Sequence, residues 1–311
     1  MTRRTIERTF FLRPDPMVER ILAFCLALAS LLTGVRLHVF VAMSNHVHIV
    51  LTDVHGLLPI FMHTFSMLSA KLLNRHRGRK GQFWEAGSYH ALHLIDADAV
   101  LEKMAYALAN PVAAGLVAHG VEWPGMISHP EDWRGGESGD DDDRTRTIER
   151  PKSYFAKESS VAKEVGLRFE VPECLGGRPL DGVIRDVLQR RELLESLARD
   201  RVAKEERQFL GADAVVKTSP FERARSQENR RELVPEVAGR DRATRVPALR
   251  ALKKFRKKYR ECYEDFRAGL REVRFPVGTW GPAMVYGACV ADGADPRLRW
   301  SAAMPPPPAP G

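Results

Sequence analysis

Apolar positions recur at the helical interval from Met17 to about Thr33, at Ile21, Phe24, Leu28 and Leu31/Leu32, and Gly34 supplies the C-terminal stop. The period then shortens to that of strands. Val35 to Met43 is rich in β-branched and aromatic residues, His46 to Thr52 alternates, and Ser44-Asn45 between them has the chemistry of a hairpin turn. A second helix is predicted from Leu57 to about Arg75, with Leu58, Phe61, Phe65, Leu68 and Leu72 on one stripe, and the basic stretch from Arg75 to Gly81 marks its end. Gln82 to Ile95 reads as irregular chain entering another strand. Asp96 is the expected N-cap of a third helix over Ala97 to about Asn110, which Asn110-Pro111 bends or ends. Helix, strand, strand, helix, strand, helix is an α+β order rather than a run of βαβ crossovers.

After Trp133 the pattern breaks. Gly135-Gly136, an acidic run at Asp140 to Asp143 and a polar segment to about Lys157 read as a linker over residues 134–157. A mainly helical C-terminal extension follows over 158–300, with helices predicted from Leu180 to about Phe209 and from Pro247 to about Val273. In the second, Leu252, Phe255, Tyr259, Cys262, Phe266 and Leu270 form an apolar stripe, and lysines and arginines crowd the remaining face. Residues 301–311, with Pro305 to Pro308, make a polyproline-type tail.

With 311 residues, two folded units are expected. Cys25, Cys174, Cys262 and Cys289 stand singly with no CxxC pair, which argues against a zinc ribbon or a disulfide framework and for a reducing compartment. The apolar run Ile21 to Val35 is too short to span a bilayer and follows Glu7, Asp15 and Glu19, so it reads as a buried helix, with no membrane partner. Forty-eight Lys and Arg against 40 Asp and Glu leave a net charge of +8, which raises the expectation of a polyanionic partner without deciding it.

Candidate chemistry begins at His46 and His48. Residues two apart on a strand share a face, so two neutral imidazoles there are placed to meet one divalent cation; alone, such a pair also fits a solvated strand face. Tyr106 and Asn110 lie at i and i+4 on the third helix and share a face of it. A phenol beside a metal is a usable nucleophile, and the Asn110 amide oxygen is a candidate third ligand.

The wording of these segments carries a resemblance. Met43-Ser44-Asn45-His46-Val47-His48-Ile49-Val50-Leu51, then Phe83-Trp84, then Tyr106 through Asn110-Pro111-Val112-Ala113-Ala114-Gly115-Leu116-Val117 resemble the single-tyrosine HUH transposases, in particular their REP-associated branch. The likeness covers residues 1–133. It implies a ferredoxin-like α+β sandwich whose antiparallel central sheet carries the two histidines, with His46 and His48 as metal ligands, Asn110 as the helical amide ligand and Tyr106 as nucleophile. It further implies Mg²⁺ or Mn²⁺ and a metal-dependent endonuclease and strand transferase acting on single-stranded DNA with hairpin or palindromic repeats, in the bacterial cytoplasm, as a monomer or homodimer. Retention as a catalytically inactive hairpin-binding protein is the alternative. Lys71, Arg75, Arg77, Arg79 and Lys80 with Phe83 and Trp84 mix cations and aromatics as a DNA groove does.

Two features depart from the family pattern. The relatives carry a longer strand before the segment Glu7 to Pro14, so the first strand here is expected to be short and the sheet edge weakened. The extension has no counterpart in small members, and its basic helix fits contact with DNA backbone, the favoured reading, as well as dimerisation or a plain solvated helix.

Overall fold

A computed structural model of the chain describes residues 1–87, 89–134, 144–151, 161–225 and 236–291. The predicted acidic run and the proline tail lie outside them. The class is α+β. A three-stranded antiparallel sheet is ordered β1-β3-β2, from β1 (Thr2–Arg4), β2 (Arg36–Met43) and β3 (His46–Thr52). The β2–β3 hairpin closes through Ser44-Asn45, with Met43 opposite His46.

Helix α1 (Pro16–Thr33) starts where the Asp15 carboxylate accepts the Met17 and Val18 amides and ends at Gly34, whose φ of 70° is a conformation that favours glycine. Ile21 through Ala29 are all buried, so this apolar helix is a core element, packed on α2 (Leu58–His76) and on β6 (Glu164–Arg168). Asp96 caps α3 (Ala97–Ala113) by accepting the Ala99 amide at 2.7 Å. The expected break at Asn110-Pro111 does not occur. Pro111 and Val112 are buried, and the helix runs to Ala113 before Gly115 turns it with φ of 73°. One lost backbone hydrogen bond is offset by apolar burial.

The predicted strand in 82–95 is only β4 (His93–Leu94), and it pairs in parallel with β7 (Val237–Ala238) in a separate two-stranded sheet. β1 pairs along Thr2–Arg4 with His46–His48, and the Met1 carbonyl accepts the Ile49 amide.

The segment expected to be a linker contains β5 (Thr145–Glu149), antiparallel to β6. Ile148, Val165 and Leu167 join the core of residues 1–133, and so do Val183, Ile184 and Val187 of α4 (Leu180–Lys204). Apolar alternation in β5 is brief and its neighbours are polar, so the composition concealed it. α4 ends at Lys204 rather than Phe209, followed by α5 (Ala212–Lys217). The basic helix, α6 (Arg242–Arg267), starts earlier and stops sooner than predicted: Asp241 caps it, and Pro247 lies inside it rather than at its start. After it come β8 (Arg274–Phe275), α7 (Trp280–Tyr286) and β9 (Cys289–Val290).

Buried at 2% exposure on β2, His38 bonds the Glu170 carbonyl through Nδ1 at 2.7 Å and Thr52 Oγ1 through Nε2 at 2.8 Å. Burial pushes its pKa down to about 4. Between about pH 6.5 and 4 the unfolded chain therefore takes up a proton that the folded chain does not, so stability present above 6.5 is lost as pH falls. A loss of about 2–3 kcal/mol is expected by the lower end of that window. Urea midpoints at pH 7 and pH 4.5 measure it. An unchanged pH profile in His38→Gln would show that another group is responsible.

Candidate active site

The sheet face that carries His46 and His48 also carries their register partners Arg4 and Thr2 on β1. α3 packs over β2 and β3 and brings Tyr106 and Asn110 against this face. His46 Nε2 and His48 Nε2 are 3.0 Å apart, and the ring of Tyr106 stands nearly perpendicular to that of His48 with centroids 5.9 Å apart. The Asn110 side chain lies beside both imidazoles and acts on each of them. Its Nδ2 donates to the Tyr106 carbonyl at 3.2 Å, which leaves Oδ1 for the histidines. Sequence separations of up to 64 residues are thus closed into one cluster within a single chain.

Each imidazole is held from behind. Asn45 Oδ1, an acceptor only, faces His46 Nδ1 at 2.7 Å, so the proton sits on Nδ1 and the lone pair of Nε2 points at the partner ring. Thr2 Oγ1 lies 3.3 Å from His48 Nδ1. The side chain of Asn45 also donates to the Arg8 carbonyl at 3.2 Å, and the backbone carbonyl of Asn45 accepts from the Thr5 amide and hydroxyl. It therefore ties the His46 ring to the turn Thr5 to Thr9, where Glu7 and Arg8 hold positive φ values of 52° and 55°. Such a pair of left-handed non-glycine residues costs on the order of 1–3 kcal/mol each and persists only where its surroundings fix it. Sequence reasoning did not single out Asn45, Thr2 or Arg8. Asn45 adjoins the histidine triplet, but the signal for Thr2 and Arg8 is tertiary.

Burial, then the charges of Arg4 and Arg8, pushes the His46 pKa down to about 4, and burial followed by the neighbouring His46 holds His48 well below its ordinary value. Both rings are neutral at pH 7, the form that binds metal. Two nitrogens 3.0 Å apart also match neighbouring ligands at right angles, each about 2.1 Å from an octahedral ion. No group of three or more His, Cys, Asp or Glu adjoins them among the described residues. A divalent cation here would be held by two imidazole nitrogens and the Asn110 oxygen, a mixed nitrogen and oxygen set, with the rest of its shell left to water and substrate.

Tyr106 is 47% exposed, so its phenol is open to a substrate, and Lys103 Nζ lies 5.4 Å from its ring centroid. The expected DNA groove is partly corrected. Phe83 and Trp84 are 2% and 4% exposed and pack among Phe11 and Phe65, and Trp84 Nε1 is bonded to the Ser66 carbonyl, so neither ring offers a face to a base. The Arg77 guanidinium is buried against Asp15 at 2.7 Å and donates to the Phe11 and Arg13 carbonyls. Arg79 lies over the Phe11 ring and bonds Asn74. These four are structural because the basic loop folds back onto the start of α1. Lys71, Arg75 and Lys80 remain on the surface. Comparison with family models, with curated proteins and with solved structures finds no match to this chain.

Proposed function

We propose that the chain is a metal-dependent, single-tyrosine endonuclease and strand transferase for single-stranded DNA bearing hairpin or palindromic repeats, of the HUH transposase type. The observation that carries the reading is the meeting of the Tyr106 ring, the His46–His48 pair and Asn110 on one sheet face. A ferredoxin-like arrangement belongs to the same proposal: His90 bridges Thr2 in antiparallel sense and extends the sheet beyond β1. Because one chain supplies all four groups, a monomer is sufficient for the chemistry.

Tyr106 Oη attacks phosphorus, the P–O3′ bond breaks, the phenol gives up its proton, and the departing 3′ oxygen takes one to become a free hydroxyl. The product is a 5′-phosphotyrosine ester. It keeps the energy of the broken bond, so a 3′-hydroxyl can reverse the step without a nucleotide cofactor. A bound divalent cation would polarise the phosphoryl oxygen and favour the phenolate. Asn110 and the neutral histidines hold the donor geometry, and Asn45 holds His46 in the tautomer that leaves Nε2 open.

The test is incubation of the purified chain with Mn²⁺ and an end-labelled hairpin oligonucleotide, followed by denaturing electrophoresis. A covalent adduct carrying the 3′ part of the strand is expected, and tight binding without any adduct would replace this reading with that of a binding protein. Asn45→Ala is expected to weaken Mn²⁺ binding by about 10–100-fold, because the orienting acceptor is lost. Titration followed by the electron-spin resonance of free Mn²⁺ measures this directly, and an unchanged affinity would remove Asn45 from the site.

A further inference from the structure

Helix α6 has 26 residues, with ten Arg or Lys against three Asp or Glu, and it presents two different faces. One is occupied. Cys262 and Phe266 are buried with Phe275 and Ala288, and Tyr259 and Phe266 each meet the Phe275 ring at 5.8 Å. The other is open. Arg250, Lys253, Lys254, Lys257, Lys258 and Arg260 are all exposed; at helical spacing Arg250, Lys253, Lys257 and Arg260 fall on the side away from Cys262 and Phe266, and Lys254 and Lys258 flank that side. Among the described residues the only ion pair of these six is Lys257 with Glu261, at 3.8 Å and 79% exposure of the lysine, and such a pair contributes little. The run spans about 15 Å of helix.

The geometry points to this face as a docking surface for the phosphate backbone of duplex DNA, the stem of the hairpin whose single-stranded arm reaches Tyr106. The inference rests on the proposed function. Charge complementarity selects the occupant, since six cations with one weak carboxylate partner suit a polyanion with regularly spaced phosphates. An anionic membrane surface is the other candidate, and it needs the apolar stripe of the helix free to enter lipid. Here Tyr259, Cys262 and Phe266 of the stripe are taken up by Phe275 and Ala288, and Leu249, Phe255, Tyr263 and Leu270 are exposed on either side of that contact rather than as one continuous apolar face.

A chain of contacts connects the helix to the catalytic face. Arg256 pairs with Glu236, whose carbonyl accepts the His93 amide. His90, on the same segment, accepts the Thr2 amide, and the Thr2 hydroxyl meets His48. The surface and the site are therefore joined through the segment from His90 to His93, which bridges Thr2 at the edge of the central sheet and pairs with β7 beside α6.

The experiment compares the full chain with a variant carrying Lys253→Gln, Lys254→Gln, Lys257→Gln and Lys258→Gln, and with the four corresponding Lys→Arg changes as a control. All four positions are solvent-exposed, and both sets keep good helix formers. Affinity for a hairpin oligonucleotide is measured from 50 to 200 mM salt, alongside adduct formation on a short single strand without a stem. The Gln variant is expected to bind the hairpin about tenfold or more weakly near 150 mM salt, with a log–log salt slope shallower by about 3 or 4. Its adduct yield on saturating single strand should equal the parent's, and the Arg variant should behave as the parent does. Unchanged hairpin affinity and slope would overturn the inference whatever the adduct yield. So would tighter binding of the parent to phosphatidylserine vesicles than to the stem at equal salt. Weakened stem binding with no adduct from any protein would leave the docking surface standing and end the nuclease reading.

Discussion

Tyr106→Phe is expected to abolish the covalent adduct, with a loss of about 10³-fold or more, while binding of the hairpin stays within a few-fold of the parent. The change removes one oxygen. The remaining ring still fills its place beside His48, at a centroid distance of 5.9 Å, so packing around α3 is kept. The phenol is the only group in the cluster able to form a stable ester with phosphorus: the imidazoles are ligands here, and Asn110 is not a nucleophile under these conditions. Because Tyr106 is half exposed, the thermal midpoint should move by no more than a degree or two. That separates loss of chemistry from loss of fold. Adduct formation by Tyr106→Phe equal to the parent's would reject Tyr106 as the nucleophile, however well the histidines were placed.

The second large effect lies far from the phenol. Glu195→Ala is expected to destabilise the chain by about 3–5 kcal/mol, because it strands a buried arginine. Arg191 and Glu195 have side chains only 7% and 2% exposed and meet at 2.6 Å. Glu195 also accepts the Gly120 amide at 3.2 Å, and Gly120 has no room for more: a Cβ there would stand 2.5 Å from both side chains. Nearby, Arg201 of α4 donates to the Ala113 carbonyl, where α3 runs out of partners for its last carbonyls, and Arg199 donates to the Ala118 carbonyl in the chain that follows. The extension is thus bolted to the helix that carries Tyr106. Urea unfolding gives the loss in stability, and amide exchange gives its reach. Faster exchange is expected in both α3 and α4. Acceleration confined to α4 would show the extension to be an independent unit, and replacing Arg191 and Glu195 together by leucine should recover much of the stability.

Most local structure was legible in the sequence because its causes are local. The cap at Asp96, the left-handed stop at Gly34, the turn at Ser44-Asn45 and the alternation through His46 to Thr52 are decided by neighbours a few residues away. The helical stripe over Leu58 to Leu72 was legible for the same reason. Where a distant partner decides, the reading failed. Pro111 stays in its helix because the core receives it, and β5 exists because β6 and α1 meet it. Arg77, Phe83 and Trp84, which look like a nucleic-acid groove in one dimension, are withdrawn by Asp15, Phe11 and Ser66 from other segments.

The candidate site divides the same way. Strand period alone puts His46 and His48 on one face, and helix period alone puts Tyr106 and Asn110 on one face, so the sequence determined both pairs. The sequence also determined the amphipathic, cation-rich character of α6 and the absence of any cysteine pair at metal-ligand spacing. That the two faces oppose each other, with nitrogens 3.0 Å apart, Asn45 and Thr2 holding the rings and Arg4 and Arg8 adding charge, was decided only by the packing of α3 across β2 and β3. Periodicity specifies the direction of a side chain relative to its own backbone. Which surface it then meets depends on the burial of a core assembled from the whole chain, and no window of sequence contains that.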